Sequence, residues 1–317
     1  MDKLLRVSPS PHVRDARTTQ SLMGDVLIAL LPAGIAGVVF FGLKALILIV
    51  VGVLSAVAAE FVFQKAAKRT VTVTDLSAAV TGLLLAYNVP ATTPWWVVMI
   101  GSIFAIVIVK QLFGGLGFNV VNPALAARAV LQASWATHIN TFDAVAGATP
   151  LAQLAGGNDA SAVTVKLSNM FLGNDMPGCI GEVSALLLIL GGVYLIARGV
   201  IHFQIPVAYI GTVAVFMAVY AAVTGKAVLD YTLVQLLAGG LMLGAFFMAT
   251  DYVTTPMNVK GQLIFGIGCG ILTSVIRLWG GYPEGVSYSI LLMNLAAPLI
   301  DRWVKPRVFG SEVKKHA

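Results

Sequence analysis

The sequence predicts an all-α integral membrane protein with about ten transmembrane helices in two inverted five-helix repeats, some of the helices being interrupted. Of its 317 residues, 58% are hydrophobic and only 11% are charged, whereas a soluble domain carries about 25% charged residues. Several apolar stretches approach the roughly 20 residues that cross a bilayer core. In addition, two short segments of the first half recur at corresponding helix junctions of the second half.

Ten apolar stretches are predicted to be membrane helices, at residues 22–41, 44–63, 75–88, 95–110, 119–135, 183–198, 205–224, 231–250, 260–278 and 284–303. The third, fifth, eighth and tenth are shorter or are interrupted by Gly, Pro or polar residues. The chain is thereby divided into a cytoplasmic amino-terminal segment (1–21), a first repeat (22–135), an extracytoplasmic loop (136–182), a second repeat (183–303) and a cytoplasmic tail (304–317). Because no early apolar core with a small-residue cleavage site is visible, we expect the first helix to be an uncleaved insertion signal.

The distribution of Lys and Arg predicts the orientation of these helices. If the amino terminus is cytoplasmic, fifteen basic residues, Lys110 among them, fall on the cytoplasmic side of the membrane. The opposite side receives only Lys44, Lys166, Lys226 and Arg277. Cytoplasmic loops carry such an excess of Lys and Arg. Both termini are therefore predicted to be cytoplasmic.

The internal repeat predicts that the two halves lie in the membrane with opposite orientations. The segment Thr81–Pro94 ends like Leu243–Pro256, and further on Gln111–Gly115 matches Arg277–Gly281. A unit of five crossings is odd, so its second copy begins on the opposite side of the membrane. Such inverted-topology repeats are common among transporters.

The helix interruptions predict a polar interior. Non-helical backbone at membrane depth is tolerated only where protein buries it or where it lines a cavity. The breaks at 88–90, 114–123 and 250–256 are therefore expected to face the protein centre. The same is expected of five nearby polar residues, Asn119, Asn122, Asp251, Glu284 and Asn294. Capping a half-helix or lying at the water interface is an equal alternative for each of them, and it is the favoured one for Glu284, which follows Pro283 near a helix start.

Arg128 is the most informative of the charged residues. The run "NPALAARAVLQ" places it well inside a helix. An arginine at membrane depth faces a polar cavity, a partner or an anionic ligand.

Several functions are not supported by the sequence. The two cysteines, Cys179 and Cys269, lack CxxC spacing, and an iron–sulfur cluster typically takes four thiolates. No Rossmann glycine fingerprint for NAD is present, and no metal site is predicted. The basic residues flank the membrane spans instead of forming a patch interleaved with aromatic residues, so a nucleic acid partner is not expected.

The extracytoplasmic loop carries a turn whose role has two interpretations. In "GATPLAQLA", Pro150 is expected to start a helix that Thr149 caps. On spacing alone, this structural role is the favoured interpretation of Thr149. The alternative is a chemical role for its hydroxyl.

The chain resembles the family made up of the D subunits of Rnf complexes and the B subunits of sodium-pumping NADH:quinone reductases. The resemblance runs from near Ser8 to about Arg302. The "SPSPH" opening and the short amino-terminal region favour the Rnf branch. The stretches that carry the resemblance are "SPSPHVRDARTTQSLMGDVLIALLPA", "GGLGFNVVNPALAARA", "FDAVAGATPL", "MATDYVTTP" and "GYPEGVSYSILLMN".

The resemblance implies that flavin mononucleotide (FMN) is attached covalently, through its phosphate, to the hydroxyl of Thr149. Family members carry this flavin in a D-x-x-[ST]-G-A-T pattern, which here runs from Asp143 through Gly147 and Ala148 to Thr149. Ala146 stands where Ser or Thr is usual, but because it is not the acceptor we expect attachment to persist. Asp143 is assigned to recognition by the flavin transferase, and the small Gly147 and Ala148 allow close approach to the backbone.

The resemblance also implies that the chain is a redox subunit of an ion-translocating ferredoxin:NAD⁺ oxidoreductase. Its helices are then expected to lie in the bacterial inner membrane, in contact with lipid. The expected partners are the A, B, C, E and G subunits, because this chain has no NAD or cluster site of its own. Relatives of the quinone-reductase type also hold a non-covalent riboflavin, and here the helix breaks on the cytoplasmic side are the place for one. The further candidate residues are Arg128 and Asn122 for the cofactor, and Asn119, Asp251, Glu284 and Asn294 for an ion route.

The main alternative is a redox-inert channel or transporter for a small polar solute, since the five-plus-five layout and the broken helices suit it equally well. A weaker alternative is a structural scaffold in which the segment around Thr149 is vestigial. A flavin on Thr149 distinguishes both from a redox subunit.

Overall fold

The structure is a computed structural model, and it describes residues 17–141, 149–155, 158–173, 177–282 and 284–305. Within these ranges the chain is all-helical and holds no β-strand. The helices are α1 (Thr19–Phe41), α2 (Leu43–Ala66), α3 (Ser77–Tyr87), α4 (Trp95–Phe104), α5 (Pro123–Ser134), α6 (Ala136–Ile139), α7 (Pro150–Leu154), α8 (Leu167–Leu172), α9 (Ala185–Ala197), α10 (Gln204–Val223), α11 (Val228–Leu237), α12 (Leu241–Leu243), α13 (Val259–Trp279) and α14 (Val286–Trp303). Two π-helical turns, Ala105–Gln111 and Gly244–Met248, directly extend α4 and α12.

Four helices are long and apolar enough to cross a membrane on their own, namely α1, α2, α10 and α13. A fifth candidate is the pair formed by α11 and by α12 with its π turn, which bends by 62° at the break between them. Shorter apolar helices are α3, α4 with its π turn, and α9. The described part of the chain is thus a multi-helix assembly of the kind that a membrane holds.

Helices lie where the hydrophobic pattern predicts them, but the fifth begins later than predicted. Its expected start is residue 119, whereas α5 begins at Pro123. The side-chain oxygen of Asn122 caps it, accepting hydrogen bonds from the backbone N–H groups of Ala124 and Leu125. A proline at the first helical position favours the same start. The four residues before it are therefore non-helical backbone, in which Asn119 and Asn122 are buried and Val120 is exposed.

The eighth predicted span, 231–250, is interrupted as expected, and glycine accounts for the position of the break. Gly239 has a φ of +71°, a conformation that residues with a Cβ rarely adopt. It is followed by Gly240, where an added Cβ would lie 2.5 Å from a carboxylate oxygen of Glu284. The turn therefore depends on the positive φ of Gly239, and the missing side chain of Gly240 leaves room for the Glu284 carboxylate.

Close helix contacts depend on small residues. A Cβ at Gly82 of α3 would lie 2.3 Å from the carbonyl oxygen of Gly52 on α2, and one at Gly191 of α9 would lie 2.4 Å from the carbonyl oxygen of Ala29 on α1. Small residues bring helices together in membranes, where no hydrophobic driving force acts between them. Large apolar side chains such as Ile35 instead point outward, where 62% of its surface is exposed.

The helix ends form two faces, defined by contacts between distant loops. On the first, Arg17 donates a hydrogen bond of 3.0 Å to the carbonyl oxygen of Gly199. The backbone N–H of Met257 donates one of 3.2 Å to Asp301. We call this the terminal face, because both ends of the described chain lie on it.

The second face holds the long connection between α5 and α9, and we call it the loop face. Lys226 donates a hydrogen bond of 3.1 Å to the carbonyl oxygen of Asn158. Thr92 donates one of 2.5 Å to the carbonyl oxygen of Thr141. If each of the ten predicted helices crosses the membrane once, successive loops alternate between its two sides. The loops joined by these hydrogen bonds are ones that this alternation assigns to the same side.

Two basic residues that the orientation count treats as flanking loops are buried inside the helical assembly. Lys110 is 2% exposed and Arg277 is 6% exposed. Hydropathy assigns both to helix ends because they follow apolar runs. In the structure the π turn directs Lys110 inward, and Arg277 lies on the last turn of α13, against α11.

Candidate functional site

A cavity of about 380 Å³ lies at the loop face, beside the ends of α5, α7 and α14. Thr149, Arg128 and Glu284 all line it. Part of its wall is aromatic, because the rings of Tyr282 and Tyr288 stack with their centroids 5.3 Å apart. The structure thus brings together residues assigned to two roles, Thr149 and Arg128 to the cofactor and Glu284 to the ion route.

Arg128 projects from α5 towards partners in three other segments of the chain, one of these partners being the thiol of Cys179 at 4.0 Å. One of its terminal nitrogens donates to Asn88 at 3.1 Å, to Glu284 at 3.0 Å and to the hydroxyl of Ser287 at 2.7 Å. The other terminal nitrogen pairs with the second carboxylate oxygen of Glu284. Such a bidentate pair supplies the compensation that a buried guanidinium requires. The Nε of Arg128 is buried and has no hydrogen-bond partner among the described residues.

Arg277 holds the break between α11 and α12 in place. Its guanidinium donates to the side chain of Gln235 at 3.2 Å and to the carbonyl oxygen of Ala238 at 3.4 Å. The last carbonyls of a helix have no partner within it, so an arginine at this position satisfies them. Its Nε donates to the backbone carbonyl of Glu284 at 3.0 Å. Arg277 therefore positions the same residue whose carboxylate binds Arg128.

A second carboxylate, that of Glu182, converges on the same point. A Cβ at Gly240 would lie 2.5 Å from an oxygen of Glu284 and 3.1 Å from an oxygen of Glu182. The latter oxygen is buried without a hydrogen-bond partner among the described residues. Burial, and then the neighbouring Glu284 carboxylate, raise the pKa of Glu182 well above its usual range. Burial likewise raises the pKa of the Cys179 thiol, which also lines the cavity.

Thr149 caps α7, as predicted from the "TP" sequence. Its Oγ1 accepts a hydrogen bond of 3.2 Å from the backbone N–H of Ala152, and Pro150 occupies the first helical position. The hydroxyl also lies beside the loop-face cavity. The other predicted residues of the flavin pattern, Asp143, Gly147 and Ala148, lie outside the described residues together with Ala146.

A smaller cavity of about 100 Å³ lies nearer the terminal face, and we call it the inner cavity. Asn119, Asn122 and Asp251 line it, and Tyr252, which is 52% exposed, borders it. Three of the predicted polar residues therefore do lie together. Asn122 is predicted to serve the cofactor, but it lies in this cavity and does not line the one beside Thr149.

A thin polar layer separates the two cavities. Asn294 accepts a hydrogen bond of 3.2 Å from the backbone N–H of Asn122 and donates one of 3.1 Å to the carbonyl oxygen of Thr254. Asn88 accepts from Arg128 at 3.1 Å. We call Asn88, Asn122 and Arg128 the polar septum. Along α5, six residues separate Asn122 from Arg128, or about 9 Å at 1.5 Å per residue.

Besides Arg277, sequence reasoning misses further charged residues of the interior, among them Glu182, Glu60 and Lys110. On sequence alone, Glu182 is grouped with the acids of the extracytoplasmic loop. Its proximity to Glu284 could not be predicted, because the two residues are far apart in the chain and a single sequence does not reveal such contacts. Glu60 and Lys110 form a buried salt bridge of 2.8 Å. A lone glutamate inside the apolar stretch 44–63 is a usable signal, because charged residues are rare within membrane spans.

Comparison with known proteins supplies the relatives of the chain. Residues 6–310 match the model of the NQR2, RnfD, RnfE family. The chain is 52% identical to the D subunit of the Na⁺-translocating ferredoxin:NAD⁺ oxidoreductase complex of Acetobacterium woodii, over 99% of this chain and 98% of that protein. It is 45% identical to the D subunit of the proton-translocating ferredoxin:NAD⁺ oxidoreductase complex of Clostridium ljungdahlii, over 97% of each. It is 37% identical to the D subunit of the ion-translocating oxidoreductase complex of Halorhodospira halophila, over 95% of this chain and 94% of that protein.

Proposed function

The chain belongs to the NQR2, RnfD, RnfE family, and from that premise we propose that it is the D subunit of an Rnf complex. It is accordingly one component of an ion-translocating ferredoxin:NAD⁺ oxidoreductase rather than an enzyme on its own. We further propose that FMN, joined through its phosphate to Thr149, makes it an electron-relaying component. Two relatives that are about half identical to it are named for Na⁺ and for proton translocation, so the proposal covers both ions.

The observation that carries the flavin proposal is the position of Thr149. Its hydroxyl borders a cavity of about 380 Å³ at the loop face, within the roughly 300–1,000 Å³ range of ligand pockets. The stacked Tyr282 and Tyr288 offer a flat aromatic surface there, and flat ring systems pack well on such surfaces. A merely capping threonine requires neither feature.

The charges around this cavity also fit a phosphodiester. Arg128 and Arg277 bring two positive charges, and Glu284 brings one negative charge. Glu182, whose pKa is raised, adds little negative charge at neutral pH. A phosphate that carries one negative charge therefore meets no excess of negative charge. Arg128 and Thr149 are the residues that would hold it.

The residues of the chain would bind and surround the flavin, which supplies redox chemistry when bound. Tyr282 and Tyr288 would cover one side of the flavin ring in the cavity. The Arg128–Glu284 pair forms the charged end of the cavity. Because the sequence offers no site for NAD or for an iron–sulfur cluster, electrons must come from and go to the A, B, C, E and G subunits. A flavin transferase must attach the cofactor during maturation.

Orientation and ion route complete the proposal. The excess of Lys and Arg supports a topology in which the helices lie in a bacterial inner membrane, surrounded by lipid, and the terminal face and both termini are cytoplasmic. The ten helices then form two inverted five-helix repeats. The inner cavity, with Asn119, Asn122 and Asp251, lies on the cytoplasmic side of the ion route, and Asn294 supports it. Glu284 lies on the opposite side of the polar septum.

A non-covalent riboflavin in the inner cavity is not part of the proposal. That cavity measures about 100 Å³, whereas ligand pockets begin at roughly 300 Å³. The inner cavity as it stands in this structure is therefore too small for a tricyclic ring system.

The test is in-gel fluorescence of the denatured protein, produced together with the flavin transferase, for wild type, Thr149→Val and Thr149→Asn. Asparagine caps a helix as well as threonine does but offers no hydroxyl. We expect a fluorescent wild-type band and none from either variant. Thr141→Val, which alters another loop-face threonine, should keep the band.

Fluorescence that persists in Thr149→Asn would disprove the attachment site. A dark wild-type band, beside a positive control that acquires flavin in the same cells, would favour the alternative of a channel or transporter for a small polar solute. Under that alternative, Thr149→Val leaves transport intact.

A further inference from the structure

Glu182 is a buried acid of the loop-face cavity to which the proposed function gives no chemical role. It ends the 3₁₀ turn Ile180–Glu182, which lies between Cys179 and α9, and it is 8% exposed. It lines the same cavity as Thr149. The carboxyl group of Glu182 therefore adjoins the space proposed for the flavin.

The two carboxyl oxygens of Glu182 have different surroundings. Oε2 accepts a hydrogen bond of 3.4 Å from the backbone N–H of Cys179 and so caps the 3₁₀ turn. Oε1 is buried and has no hydrogen-bond partner among the described residues. Because a buried polar atom without a partner is destabilising, the capping role accounts for Oε2 but not for Oε1.

A proton on Glu182 accounts for Oε1. An added Cβ at Gly240 would lie 3.1 Å from Oε1 of Glu182 and 2.5 Å from Oε1 of Glu284, so the two oxygens border one small space. Two carboxyl groups that share a site resist being ionised together. Oε1 of Glu284 already accepts from Arg128 at 3.0 Å and from the backbone N–H of Gly240 at 3.2 Å, which holds Glu284 in the charged form. Glu182 is therefore the member that keeps a proton, and its O–H has Glu284 beside it as an acceptor.

The charged groups nearest to Glu182 favour the same distribution of charge. Arg128 of α5 pairs with the carboxylate of Glu284, and Arg277 of α13 donates to the backbone carbonyl of Glu284 at 3.0 Å. Both cations are thus directed at Glu284. Burial raises the pKa of the Cys179 thiol, which adds no negative charge at neutral pH.

The other titratable groups around the turn are engaged elsewhere. Tyr87 of α3 packs against the turn, but its hydroxyl donates to a backbone carbonyl of α1 at 3.0 Å. The charged residue of α1, Asp25, pairs with Arg198 at 3.4 Å, and α12 has no charged residue. Across the cavity, Tyr282 and Tyr288 stack on each other. Glu182 is therefore the group of this wall that can release a proton near neutral pH.

Water at the loop face can replace a proton that Glu182 releases. Gln132 and Asn140 line the cavity together with Glu182, and Asn140 is exposed. The rim of the cavity is therefore in contact with the solution at the loop face.

We propose that Glu182 is the proton donor and acceptor for the flavin of this cavity, with the proton held on Oε1 against Glu284. The inference rests on the proposed attachment of FMN to Thr149. For an electron that a partner subunit supplies to the flavin, Glu182 gives up its proton: the O–H bond breaks and an N–H bond forms on the flavin ring. The Glu182 carboxylate then takes a proton from water at the loop face. Oxidation by a partner subunit reverses both transfers, so the cavity keeps its net charge throughout.

The experiment uses the full chain, produced together with the flavin transferase and held in mixed micelles. A light flash in the presence of an amine electron donor adds one electron to the flavin, and the visible absorbance reports when the ring gains its proton. For Glu182→Gln we expect this protonation to slow about 100-fold, which is the contribution of a positioned acid. The amide oxygen can still cap the 3₁₀ turn, so the fold should persist. Asp159→Asn, which alters an exposed acid of the loop face, is the control and should keep the wild-type rate.

Infrared spectroscopy gives a second readout that needs no flavin. Thr149→Asn, which should carry none, is compared at about pH 6 and about pH 9, where an ordinary glutamate is ionised throughout. We expect a carbonyl band of a protonated carboxyl group that is lost at the higher pH, because the pKa of Glu182 is raised. Adding Glu182→Gln should remove this band. In the flavin-containing wild type, fast protonation should be lost over the same pH range.

An unchanged protonation rate in Glu182→Gln, or an unchanged carboxyl band when Glu182→Gln is added to Thr149→Asn, would overturn the inference. If Glu182→Gln yields no folded protein, the wild type decides, because a rate that does not fall between about pH 6 and about pH 9 contradicts a donor with the raised pKa of Glu182. Failure of the proposed function looks different. In that case the wild-type chain shows no fluorescent band and no flash signal, while the infrared comparison still tests whether Glu182 holds a proton.

Discussion

At Arg128, one guanidinium holds together segments that are far apart in sequence. Asn88 ends α3, Glu284 precedes α14, and Ser287 lies in the first turn of α14. The importance of Arg128 could be predicted, because a charge within an apolar run is conspicuous. Its partners could not, because contacts across about 40 and about 156 positions leave no periodic signal in one sequence.

Removing the charge of Arg128 should destabilise the fold. In Arg128→Met the Glu284 carboxylate loses its partner, so we expect the free energy of unfolding to fall by about 3 kcal/mol. Chemical unfolding in mixed micelles measures it. The control is Arg198→Met, whose bridge of 3.4 Å to Asp25 involves an arginine side chain that is 56% exposed, and here a loss below about 1 kcal/mol is expected. Equal losses in the two variants would contradict the assignment.

Glu182 should make stability depend on pH. Its pKa is raised in the folded protein, whereas an unfolded glutamate titrates near about 4.3. Above that pH the folded state binds more protons than the unfolded state, so the free energy of unfolding falls as pH rises towards the folded pKa. Thermal unfolding in detergent at about pH 5 and about pH 8 should show this fall, and Glu182→Gln should reduce it. The control is Asp159→Asn, which alters an exposed acid and should leave the fall unchanged. An unchanged fall in Glu182→Gln as well would show that another group causes it.

At the scale of the elements, the hydrophobic runs predict where helices lie but not where they change character. The π turn at Ala105–Gln111 sits in an uninterrupted apolar run, and no residue type marks it in advance. Lys110 lies within this turn and is buried. The break at Gly239 could be predicted, because glycine pairs within apolar runs favour interruption. The start of α5 could also have been predicted from Asn122 followed by Pro123.

The contact between α2 and α3 should tolerate no larger residue at Gly82. In Gly82→Ala the new Cβ would lie 2.3 Å from the carbonyl oxygen of Gly52, so the helices must separate. We expect the free energy of unfolding to fall by about 1–3 kcal/mol. The matched control is Gly211→Ala on α10, where nothing lies within 4 Å of the new Cβ and a gain of up to about 1 kcal/mol is expected. Similar effects in both variants would exclude close packing as the reason for Gly82.

At the scale of the whole molecule, the contacts between loops divide the described chain into a terminal face and a loop face. The alternation of the predicted helices across a membrane predicts this division. The count of Lys and Arg, two of which (Lys110 and Arg277) are buried, predicts only which of the two faces is cytoplasmic. The count does not predict which residues line each cavity, because that depends on the rotation and tilt of the helices against one another.

Cysteine labelling tests the orientation of the two faces. Cys179 and Cys269 are buried, so little background labelling is expected. In spheroplasts, a membrane-impermeant maleimide should label Asp159→Cys, because that position is exposed on the loop face. It should label Lys65→Cys, at the exposed end of α2, only after the membrane is permeabilised. The opposite pattern would reverse the proposed topology.

The polar septum has a further consequence, which concerns voltage. Cavities that admit water carry the electrical potential of the adjoining solution inward, so the potential difference across the membrane falls mainly over the layer that separates them. Here that layer is about 9 Å along α5, much thinner than the roughly 30 Å hydrocarbon core. If water enters both cavities, an ion that follows the proposed route past Asn122 and Arg128 would work against most of the potential within that short distance, at about 2.3 kcal/mol per charge for each 100 mV.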